Sequence, residues 1–485
     1  MIELLEYSWS VIYLAFAVVI ATVATVHAIL NKRETRTVIA WIAVIWLGFP
    51  VVTSLLYFAF GVNRLRRRGG ELQRRLDNAF AVPDLEIPAE IRQQLEQARV
   101  RYPRFAQMVD LVRNLTDQPL LPGNRVEPLL NGDQAYPAML DAIHGARHSI
   151  SLVTYIFDHD RAGQAFIDAL SSARERGVEV RVLVDDVGAR YSRTSVVGEL
   201  CRRGVDCRTF LPTRVPRSVQ YANLRNHRKL LTVDGQVAFT GSLNIREGCM
   251  LDQQPEYPVQ DIHFRLAGPV VTQMQRAFIA DWAFASGEVL LGDQWLPQVD
   301  FTGDGWARGI PDGPDEDFEK LLLTLLGAIG VAQQRLVIMT PYFLPDSSIV
   351  NALSVAALRG VQVDIILPEV NNLRLVQWAS TAMLWQVLIR GCRVYLTPPP
   401  FDHSKLMLVD DAYVMFGSTN WDPRSLRLNF EYNVECYSAL LCEQLTQVVE
   451  DRIAKAKVLT LNDVDSRSLA IKLRDGFARL LTPYL

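Results

Sequence analysis

The chain has 485 residues, of which 49% are hydrophobic, and a formal net charge of −3. This length allows about two to four domains with ample core. The charge argues weakly against a general nucleic-acid binder, which usually has a basic surface, and it is compatible with a local basic site. The six cysteines form no CxxC pair and do not stand at zinc-ligand spacing from a histidine, so we expect reduced thiols and a catalytic part in the cytosol.

Two uncharged runs open the chain. Residues 9–30 and 38–61 contain no Asp, Glu, Lys or Arg, and each run is long enough to cross a bilayer. They predict an N-terminal two-helix transmembrane hairpin over residues 1–61, in which Pro50 is tolerated inside the second span. Two alternatives stay open: buried helices of a large soluble core, and cleavage of the first run as a signal peptide, which the acidic leading residues disfavour.

The charges that flank the runs predict the topology of the hairpin. Six arginines follow the second run: Arg64, Arg66, Arg67, Arg68, Arg74 and Arg75. The loop between the runs holds fewer basic residues: Lys32, Arg33 and Arg36. The positive-inside rule therefore places the long C-terminal part in the cytoplasm. Residues 62–125 are predicted to form a juxtamembrane linker.

The rest of the chain repeats itself in two halves, at about 126–305 and 316–485 with a turn-rich connector between them. Each half reads as strand, helix, strand, helix, strand, and the first helix of each ends in Arg-Gly at 176–177 and 359–360. We therefore predict an α/β fold with a mostly parallel, helix-covered sheet in each of two pseudo-twofold-related halves. The final segment, SLAIKLRDGFARLL, predicts an amphipathic helix that packs on its own domain, with membrane contact as the less favoured use.

Each half also contains one copy of the same polar motif. The copies are NHRKLLTVDGQVAFTGSLN and DHSKLMLVDDAYVMFGSTN, with identical internal spacing. Their aligned residues are His227, Lys229, Asp234, Gly241, Ser242 and Asn244 against His403, Lys405, Asp410, Gly417, Ser418 and Asn420. Alternation along a strand puts the His and Lys on one face, and Asp before a small residue favours a tight turn.

These residue types are suited to phosphate chemistry. Lysine, hydroxyl and amide donors can hold the non-bridging oxygens of a phosphate, and a histidine remains for covalent or acid–base work near neutral pH. The sequence shows no carboxylate cluster or His/Cys set typical of a metal site, so we expect no metal and no cofactor. Two lysines would balance the phosphate charge instead.

The duplicated HxK, Asp and GSxN pattern resembles the signature of the phospholipase D superfamily. The resemblance implies phospholipase D-type α/β/α halves and a reaction in which one histidine forms a phosphohistidine while the other protonates the leaving group. It implies His227 as the nucleophile and His403 as the acid/base, an order that the sequence alone does not fix. It implies catalytic Lys229, Lys405, Asp234 and Asp410, and phosphate-binding Ser242, Asn244, Ser418 and Asn420. Asp234 and Asp410 could equally be structural within their hairpins.

Two further carboxylates stand at family-like positions about thirty residues beyond the motifs. They are Asp261 in VQDIHFRLAGP and Glu431 in LNFEYNVE, and each is expected to orient a histidine. The alternative for both is an ordinary surface carboxylate.

Several other stretches resemble bacterial cardiolipin synthases: the second apolar run with its arginines, LVTYIFDHDRAG, TPYFLPD and WDPRSLRLNFEYNVE. That family condenses two phosphatidylglycerols into cardiolipin and glycerol without a nucleotide. The resemblance implies a multi-pass protein of the bacterial inner membrane whose partners are phosphatidylglycerol, cardiolipin and the bilayer, not nucleic acid. Alternatives are a membrane-bound phospholipase D hydrolase, a synthase with another donor or alcohol, a nuclease of the superfamily and a non-enzymatic scaffold. The oligomeric state is open.

Overall fold

In the computed structural model of the chain, the described residues are 2–32, 35–58, 93, 96–97, 99–100, 102–191, 194–212, 224–313 and 319–482. The chain forms two compact units, Met1–Gly70 and Glu71–Leu485. The arginine cluster at 64–75, most of the 62–125 linker and part of the connector between the halves lie outside the described residues. In the loop between the apolar runs, Arg33 lies outside them and the side chain of Arg36 is not described.

The described part of the first unit forms three helices: α1 (Ile2–Asn31), α2 (Thr35–Leu47) and α3 (Pro50–Leu56). Small residues on α1, including Ala21, Ala24 and Ala28, are buried against Ile45 and Tyr57. Alanine allows two helix backbones to approach closely, which is the usual packing device between apolar helices in lipid. A hydrogen bond of 2.9 Å from the indole of Trp46 to Thr25 also joins α1 to α2.

The second apolar run is not one continuous helix. It breaks at Gly48 and Phe49, because Pro50 has no N–H to donate and disfavours the helical conformation of the residue before it. Within the described residues, Val11–Asn31 is the one helical stretch long and apolar enough to cross a membrane, whereas Thr37–Leu47 is shorter. The predicted second span therefore appears as two short helices, and its end at 59–61 lies outside the described residues.

In the second unit, the first of the elements described in full are a helix and the elements of the first half. Its helices are α4 (Ala106–Thr116), α5 (Asn131–Gly145), α6 (Arg161–Glu175), α7 (Val196–Arg202) and α8 (Val270–Ser286). Its strands are β1 (Leu121–Leu130), β2 (Ser149–Thr154), β3 (Glu179–Asp185), β4 (Asp206–Phe210), β5 (Arg225–Asn226), β6 (Leu230–Val233), β7 (Val237–Gly241), β8 (Val259–Gln260) and β9 (Ile262–Ala267).

The second half repeats this order and adds C-terminal elements. Its strands are β10 (Gly305–Asp312), β11 (Arg335–Met339), β12 (Gln362–Pro368), β13 (Arg393–Thr397), β14 (Phe401–Asp402), β15 (Leu406–Val409), β16 (Tyr413–Gly417), β17 (Asn429–Tyr437) and β18 (Lys457–Leu459). Its helices are α9 (Lys320–Val331), α10 (Ser347–Leu358), α11 (Arg374–Thr381), α12 (Trp385–Leu388), α13 (Pro423–Arg427), α14 (Ala439–Ile453), α15 (Leu461–Asp465) and α16 (Leu469–Leu480).

One sheet runs through both halves. The first half contributes the order β4-β3-β2-β6-β7-β9-β1 and the second the matching order β13-β12-β11-β15-β16-β17-β10, joined where β1 pairs antiparallel with β10. The prediction of a mixed α/β fold in two halves is confirmed. The prediction of a mostly parallel sheet is wrong. Along the main path of the sheet in the described residues, the parallel pairings are confined to β2-β3-β4 and β11-β12-β13, because the motif strands enter as antiparallel hairpins beside them.

Helices cover the sheet on both faces, so that each half has the three-layer architecture expected of α/β folds. A shared core receives side chains from both halves, including Trp282 of α8 and Leu445 of α14. The rings of Phe264 and Phe416 stack there across the halves, with centroids 3.6 Å apart. Gly177 and Gly360 end α6 and α10 with positive φ values of 90° and 91°, which confirms the predicted helix stops.

A buried ion pair anchors the centre of the sheet. Arg308 of β10 and Glu435 of β17 are both fully buried, and the Nε of Arg308 lies 2.7 Å from the carboxylate. The guanidinium also donates to the backbone carbonyls of Gln118 at 3.2 Å and Val109 at 3.1 Å. The hydroxyl of Tyr413 donates to the same carboxylate at 3.1 Å. The side chain of Arg308 therefore connects α4, and the segment between α4 and β1, to the second half.

We expect Arg308→Ala to lower the free energy of unfolding by about 3–5 kcal/mol, because it leaves the buried carboxylate of Glu435 without its counter-ion. Arg202→Ala is the matched control, since Arg202 is 70% exposed in its ion pair with Glu199 and such pairs contribute about 1 kcal/mol or less. Chemical unfolding of the detergent-solubilised protein, followed by tryptophan fluorescence, measures both. Equal shifts in the two variants would contradict the central role of the pair.

Candidate active site between the two halves

The two polar motifs lie on the β6–β7 and β15–β16 hairpins. His227 and Lys229 occupy the extended segment directly before β6, and His403 and Lys405 the equivalent segment before β15. In both copies the lysine ammonium turns back to donate to the backbone carbonyl of its histidine at 2.8 Å. The alternation predicted from HxK therefore holds, although the residues precede the strands rather than lie within them.

The motif aspartates lie at the opposite end of each hairpin from the histidines. Asp234 and Asp410 occupy the turns with φ values of 51° and 53°. Asp234 accepts the backbone N–H groups of residues 147–149 at 2.7 to 3.2 Å. Asp410 accepts those of residues 333–335 over the same range. Of the two sequence interpretations, the geometry favours the structural one: both carboxylates hold the turns and do not reach the histidines.

Each histidine is paired with a carboxylate of the other half. The Nδ1 of His227 lies 3.1 Å from Glu431, and the Nδ1 of His403 lies 3.0 Å from Asp261. Short parallel strand pairs produce this crossing, since β5 pairs with β17 and β14 pairs with β8. The backbone N–H of His227 consequently donates to Phe430 at 2.8 Å. The sequence identified both carboxylates but did not show which histidine each one contacts.

The carboxylates fix the tautomer of both rings. A carboxylate of this kind can only accept, so each Nδ1 carries the proton and each Nε2 keeps its lone pair. Ser418 donates to Glu431 at 2.5 Å, and Ser242 donates to Asp261. The two motif serines, which the sequence assigned to phosphate binding, therefore direct their hydroxyls at the carboxylates instead.

The motif lysines are buried, with 3% of Lys229 and 5% of Lys405 exposed. Burial, together with the positive charge of Lys405, lowers the pKa of Lys229 to about 7. Burial likewise lowers the pKa of Lys405 to about 8. Both ammonium groups are thus close to losing their charge near neutral pH, and a bound anion would favour the charged form of each.

The histidines and carboxylates respond to the same environment. Burial, and then the charge of Lys405, lowers the pKa of His403 to about 4. Burial also lowers the pKa of His227. Burial acts to raise the pKa of Asp261 and of Glu431. The contacts of Asp261 with His403 and of Glu431 with His227 outweigh this effect, so that the pKa of each carboxyl is lowered. The site therefore holds ionised carboxylates beside neutral imidazoles.

The motif asparagines complete the cluster. The Oδ1 of Asn244 accepts the backbone N–H of Ile156 at 3.3 Å, which leaves its Nδ2 to act as a donor. The Nδ2 of Asn420 donates to Ser425 at 3.2 Å, and its buried Oδ1 has no partner within the described part of the chain. A half-turn of this amide exchanges the two atoms and presents the donor instead. Among the described residues, no group of three or more His, Cys, Asp and Glu is placed to bind a metal ion.

Four residues near the histidines were missed by the sequence analysis. The ring of Tyr155 lies 5.1 Å from that of His227, and the ring of Phe401 lies 6.0 Å from that of His403. Burial and the positive charge of Arg225, which lies close before His227 in the chain, lower the pKa of Arg424. The signal that could have found Tyr155 is its place at the carboxyl end of β2, an edge at which α/β sheets bind ligands.

Comparison with known proteins agrees with this architecture. Residues 139–282 and 325–453 match the family described as cardiolipin synthase, phospholipase D-like domain. Residues 19–61 match the family described as phospholipase D–nuclease N-terminal. Two such halves, each supplying one HxK hairpin to a common site, define a protein of the phospholipase D type.

Relatives that match along nearly the whole chain show which family of the phospholipase D superfamily it belongs to. The chain is 30% identical over 465 residues to a cardiolipin synthase of Geobacillus kaustophilus, covering 96% of this chain and 91% of the relative. It is 27% identical over 468 residues to a cardiolipin synthase of Staphylococcus aureus, covering 94% and 93%. The chain belongs to the bacterial cardiolipin synthase family of the phospholipase D superfamily.

A solved structure shares the fold. The phosphatidylserine synthase of Haemophilus influenzae superposes with a TM-score of 0.62 at 15% identity. The alignment covers 78% of this chain and all of that one. At this level of identity the likeness concerns the fold alone.

The depressed lysine pKa values predict that anion binding weakens as the pH rises. Sulfate is a suitable probe because its own charge is constant from about pH 6 to about pH 9, and its affinity should fall roughly tenfold for each pH unit above the pKa of a lysine that must be charged. The loss of affinity should begin at about pH 7, where Lys229 titrates, and become steeper above about pH 8, where Lys405 titrates. Isothermal titration calorimetry across this range measures it.

The matched control is Lys229→Met, which should bind sulfate weakly and lose the lower of the two transitions. An affinity that stays constant across the range in the unmodified protein would contradict the lysine assignment.

Proposed function

We propose that this protein is a cardiolipin synthase, which transfers a phosphatidyl group from one phosphatidylglycerol to another and releases glycerol. The observation that carries the proposal is the crossed pair of histidines, each oriented by a carboxylate of the opposite half, around two buried lysines. Full-length similarity to proteins named cardiolipin synthase supports the lipid substrate.

The phosphate of the donor lipid binds between the motif lysines. Their ammonium groups and the side-chain amides of Asn244 and Asn420 donate to its two non-bridging oxygens. A phosphate diester carries one negative charge, which offsets the repulsion between Lys229 and Lys405. Charge balance is thus supplied by the protein's own cations.

In the first step, the Nε2 of His227 attacks phosphorus, and the bond to the glycerol oxygen breaks. A protonated His403 gives its proton to that oxygen, so that glycerol leaves and a phosphatidyl-histidine remains. The contacts of Lys405 support His227, rather than His403, as the nucleophile. The ammonium of Lys405 lies 3.1 Å from the Nε2 of His403 and occupies the lone pair with which that ring would attack. Lys229 donates instead to the backbone carbonyl of His227. The phosphate anion favours the protonated form of His403.

In the second step, a glycerol hydroxyl of the acceptor phosphatidylglycerol attacks phosphorus. His403, now neutral, takes the proton of this hydroxyl, and the bond between phosphorus and His227 breaks to release cardiolipin. Two histidines are required because attack and departure take place on opposite sides of phosphorus. The crossed contacts to Glu431 and Asp261 keep the Nδ1 of each ring protonated and so make Nε2 the reacting atom, which makes these carboxylates positioning residues.

The motif aspartates and serines take supporting roles in this proposal. Asp234 and Asp410 hold the hairpin turns, and Ser242 and Ser418 orient the carboxylates. We relate the two halves, predicted at 126–305 and 316–485, by a pseudo-twofold axis, which the matching strand orders support. β1 and β10 move the start of the halves forward to Leu121 and Gly305. Both motifs stand on one chain, so one copy suffices for a complete site.

The first unit is proposed to be a two-helix transmembrane hairpin in the bacterial inner membrane, with the second unit in the cytoplasm. The length and composition of Val11–Asn31 support the first span. For the second span we propose that α2 and α3 cross together, since lipid tolerates a break at Pro50. The arginines at 64–75 support the orientation by the positive-inside rule.

The alternative within the same site is a phospholipase D that passes the phosphatidyl group to water. Transfer to an alcohol is favoured only when the site binds the acceptor better than water at the second transition state. The near-complete burial of both histidines, 8% and 9% exposed, supports exclusion of water. A membrane-bound synthase with another donor or alcohol uses the same residues.

The product of the reaction tests the proposal. Full-length protein in mixed micelles with phosphatidylglycerol, a chelator and no nucleotide should form cardiolipin and glycerol in equal amounts, because each transfer releases one glycerol. Lipid mass spectrometry and a glycerol assay measure both. Phosphatidic acid in place of cardiolipin would establish the hydrolase, and the absence of any product would contradict phosphatidylglycerol as the donor.

His227→Ala and His403→Ala are the controls for this assay. Both should abolish turnover and leave insertion into the membrane intact. Only the His403→Ala protein is expected to retain a trace of the phosphatidyl-histidine when a donor with a better leaving group is supplied.

Glu431→Gln should lower kcat by about a hundredfold to ten-thousandfold with little change in KM, because the amide no longer holds His227 in the reactive tautomer. The contact with Glu431 also acts to raise the pKa of His227. Its removal should therefore move the acid limb of the kcat/KM profile, where His227 gains a proton, to lower pH. Glu443→Gln, an exposed substitution on α14, is the control. An unchanged acid limb would contradict this positioning role.

A further inference from the structure

The last helix of the chain turns its apolar side outward. Leu469, Leu473, Phe477 and Leu480 of α16, here called the C-terminal stripe, recur every three or four residues and share one face. They are 72%, 64%, 69% and 71% exposed. The same helix buries Asp475 and Ala478 instead. An amphipathic helix that only packed on its own domain would have the opposite orientation.

Ion pairs hold α16 in this orientation. The buried carboxylate of Asp475 pairs with Arg467 and with Arg474, the latter at 2.7 Å. The guanidinium of Arg474 lies 4.3 Å from the ring centroid of Trp378 on α11. Rotating the helix to bury the stripe would break these contacts and expose a charge pair, so the outward stripe is a built feature of the fold.

The charges around the stripe match an anionic surface. Asp475, the one acidic residue in α16, is neutralised by its arginines. Lys472 and Arg479 are exposed on the helix, and Arg374 is exposed at the start of the neighbouring α11. An apolar face flanked by basic side chains is the pattern of helices that lie in the headgroup region of a bilayer.

The helix is also connected to the active site through packed side chains. Ala478 packs in a small core with Leu344 and Val376, and Tyr342 packs against that core. The ring of Tyr342 lies 6.4 Å from that of Phe401, which in turn lies 6.0 Å from His403. The stripe therefore belongs to the part of the catalytic unit that adjoins the proposed acid/base histidine.

We propose that the C-terminal stripe of α16 inserts into the headgroup region of an anionic phospholipid bilayer and docks the catalytic unit on the membrane beside His403. This inference rests on the proposed function, since a site that acts on membrane lipids must reach the headgroup plane. A second copy of the chain fits the surface less well, because a self-complementary contact would bring Lys472 and Arg479 against like charges.

Site-directed fluorescence tests the insertion. Full-length protein with Cys201→Ser, which removes the exposed thiol and leaves the other five cysteines buried, receives Leu473→Cys for labelling with an environment-sensitive dye. The control is Leu358→Cys on α10, where the leucine is 69% exposed. In phosphatidylcholine–phosphatidylglycerol vesicles the dye at 473 should shift to the blue and be quenched by nitroxides on the acyl chains. The dye at 358 should do neither.

Each other outcome of this measurement overturns the proposal. A dye at 473 that stays water-like shows that nothing covers the stripe. A blue shift without acyl-chain quenching shows that protein, and not lipid, covers the stripe. The covering surface is a second copy if the shift weakens on dilution of the protein, and a segment of the same chain if the shift does not change.

Kinetics provide a second test. Leu473→Ser/Phe477→Ser should lower kcat/KM roughly tenfold on phosphatidylglycerol held in vesicles, because less apolar surface enters the bilayer. Turnover of dispersed short-chain phosphatidylglycerol should be unchanged. Val355→Ser/Leu358→Ser on α10 is the matched control and should change neither. Equal losses on both substrates, or no loss on either, would overturn the proposal. An unmodified protein inactive on both substrates would refute the proposed function instead, while the fluorescence still decides whether the stripe meets lipid.

Discussion

The contact on which the active site depends is the crossed pairing of histidine with carboxylate. His227 meets Glu431 across 204 residues of chain, and His403 meets Asp261 across 142. Glu431 lies in β17, which pairs with β5, and Asp261 directly follows β8, which pairs with β14. The strands that join the halves therefore also bring each carboxylate to its histidine. Neither half alone can fix the tautomer of its own histidine. The duplicated sequence is therefore required for chemistry as well as for symmetry.

The charges buried at this junction explain why the site is suited to an anion. Buried ions are costly unless they are paired and hydrogen-bonded. Asp261 and Glu431 meet that condition through a histidine and a serine each. Lys229 and Lys405 meet it less fully, which is why burial lowers the pKa of both towards neutrality. In the proposed reaction, a monoanionic phosphate diester between the two ammonium groups restores this charge balance.

The sequence predicted what local spacing determines. The duplicated HxK motifs and the glycines that end α6 and α10 follow from short patterns, whereas Asp261 and Glu431 were named from the resemblance to the phospholipase D superfamily. The crossing of the carboxylates, the hydroxyl contacts of Ser242 and Ser418, and the antiparallel hairpins within the sheet do not follow from such patterns, because they depend on how distant segments pair. The break before Pro50 was readable from the residue type, but composition favoured one continuous run.

A lipid substrate adds a geometric requirement to this chemistry. Transferring acyl chains out of a bilayer costs about 0.8 kcal/mol for each CH₂ group, so the site must come to the headgroup plane rather than draw the lipid into water. The proposed transmembrane hairpin limits the distance of the catalytic unit from the membrane but does not determine which face of that unit meets the lipid. The proposed contact of the C-terminal stripe with the bilayer, close to His403, does determine this face. Two linked contacts also strengthen one another, because each raises the effective concentration of the other. The buried ion pairs of Asp475 hold an apolar stripe outward where that contact is needed.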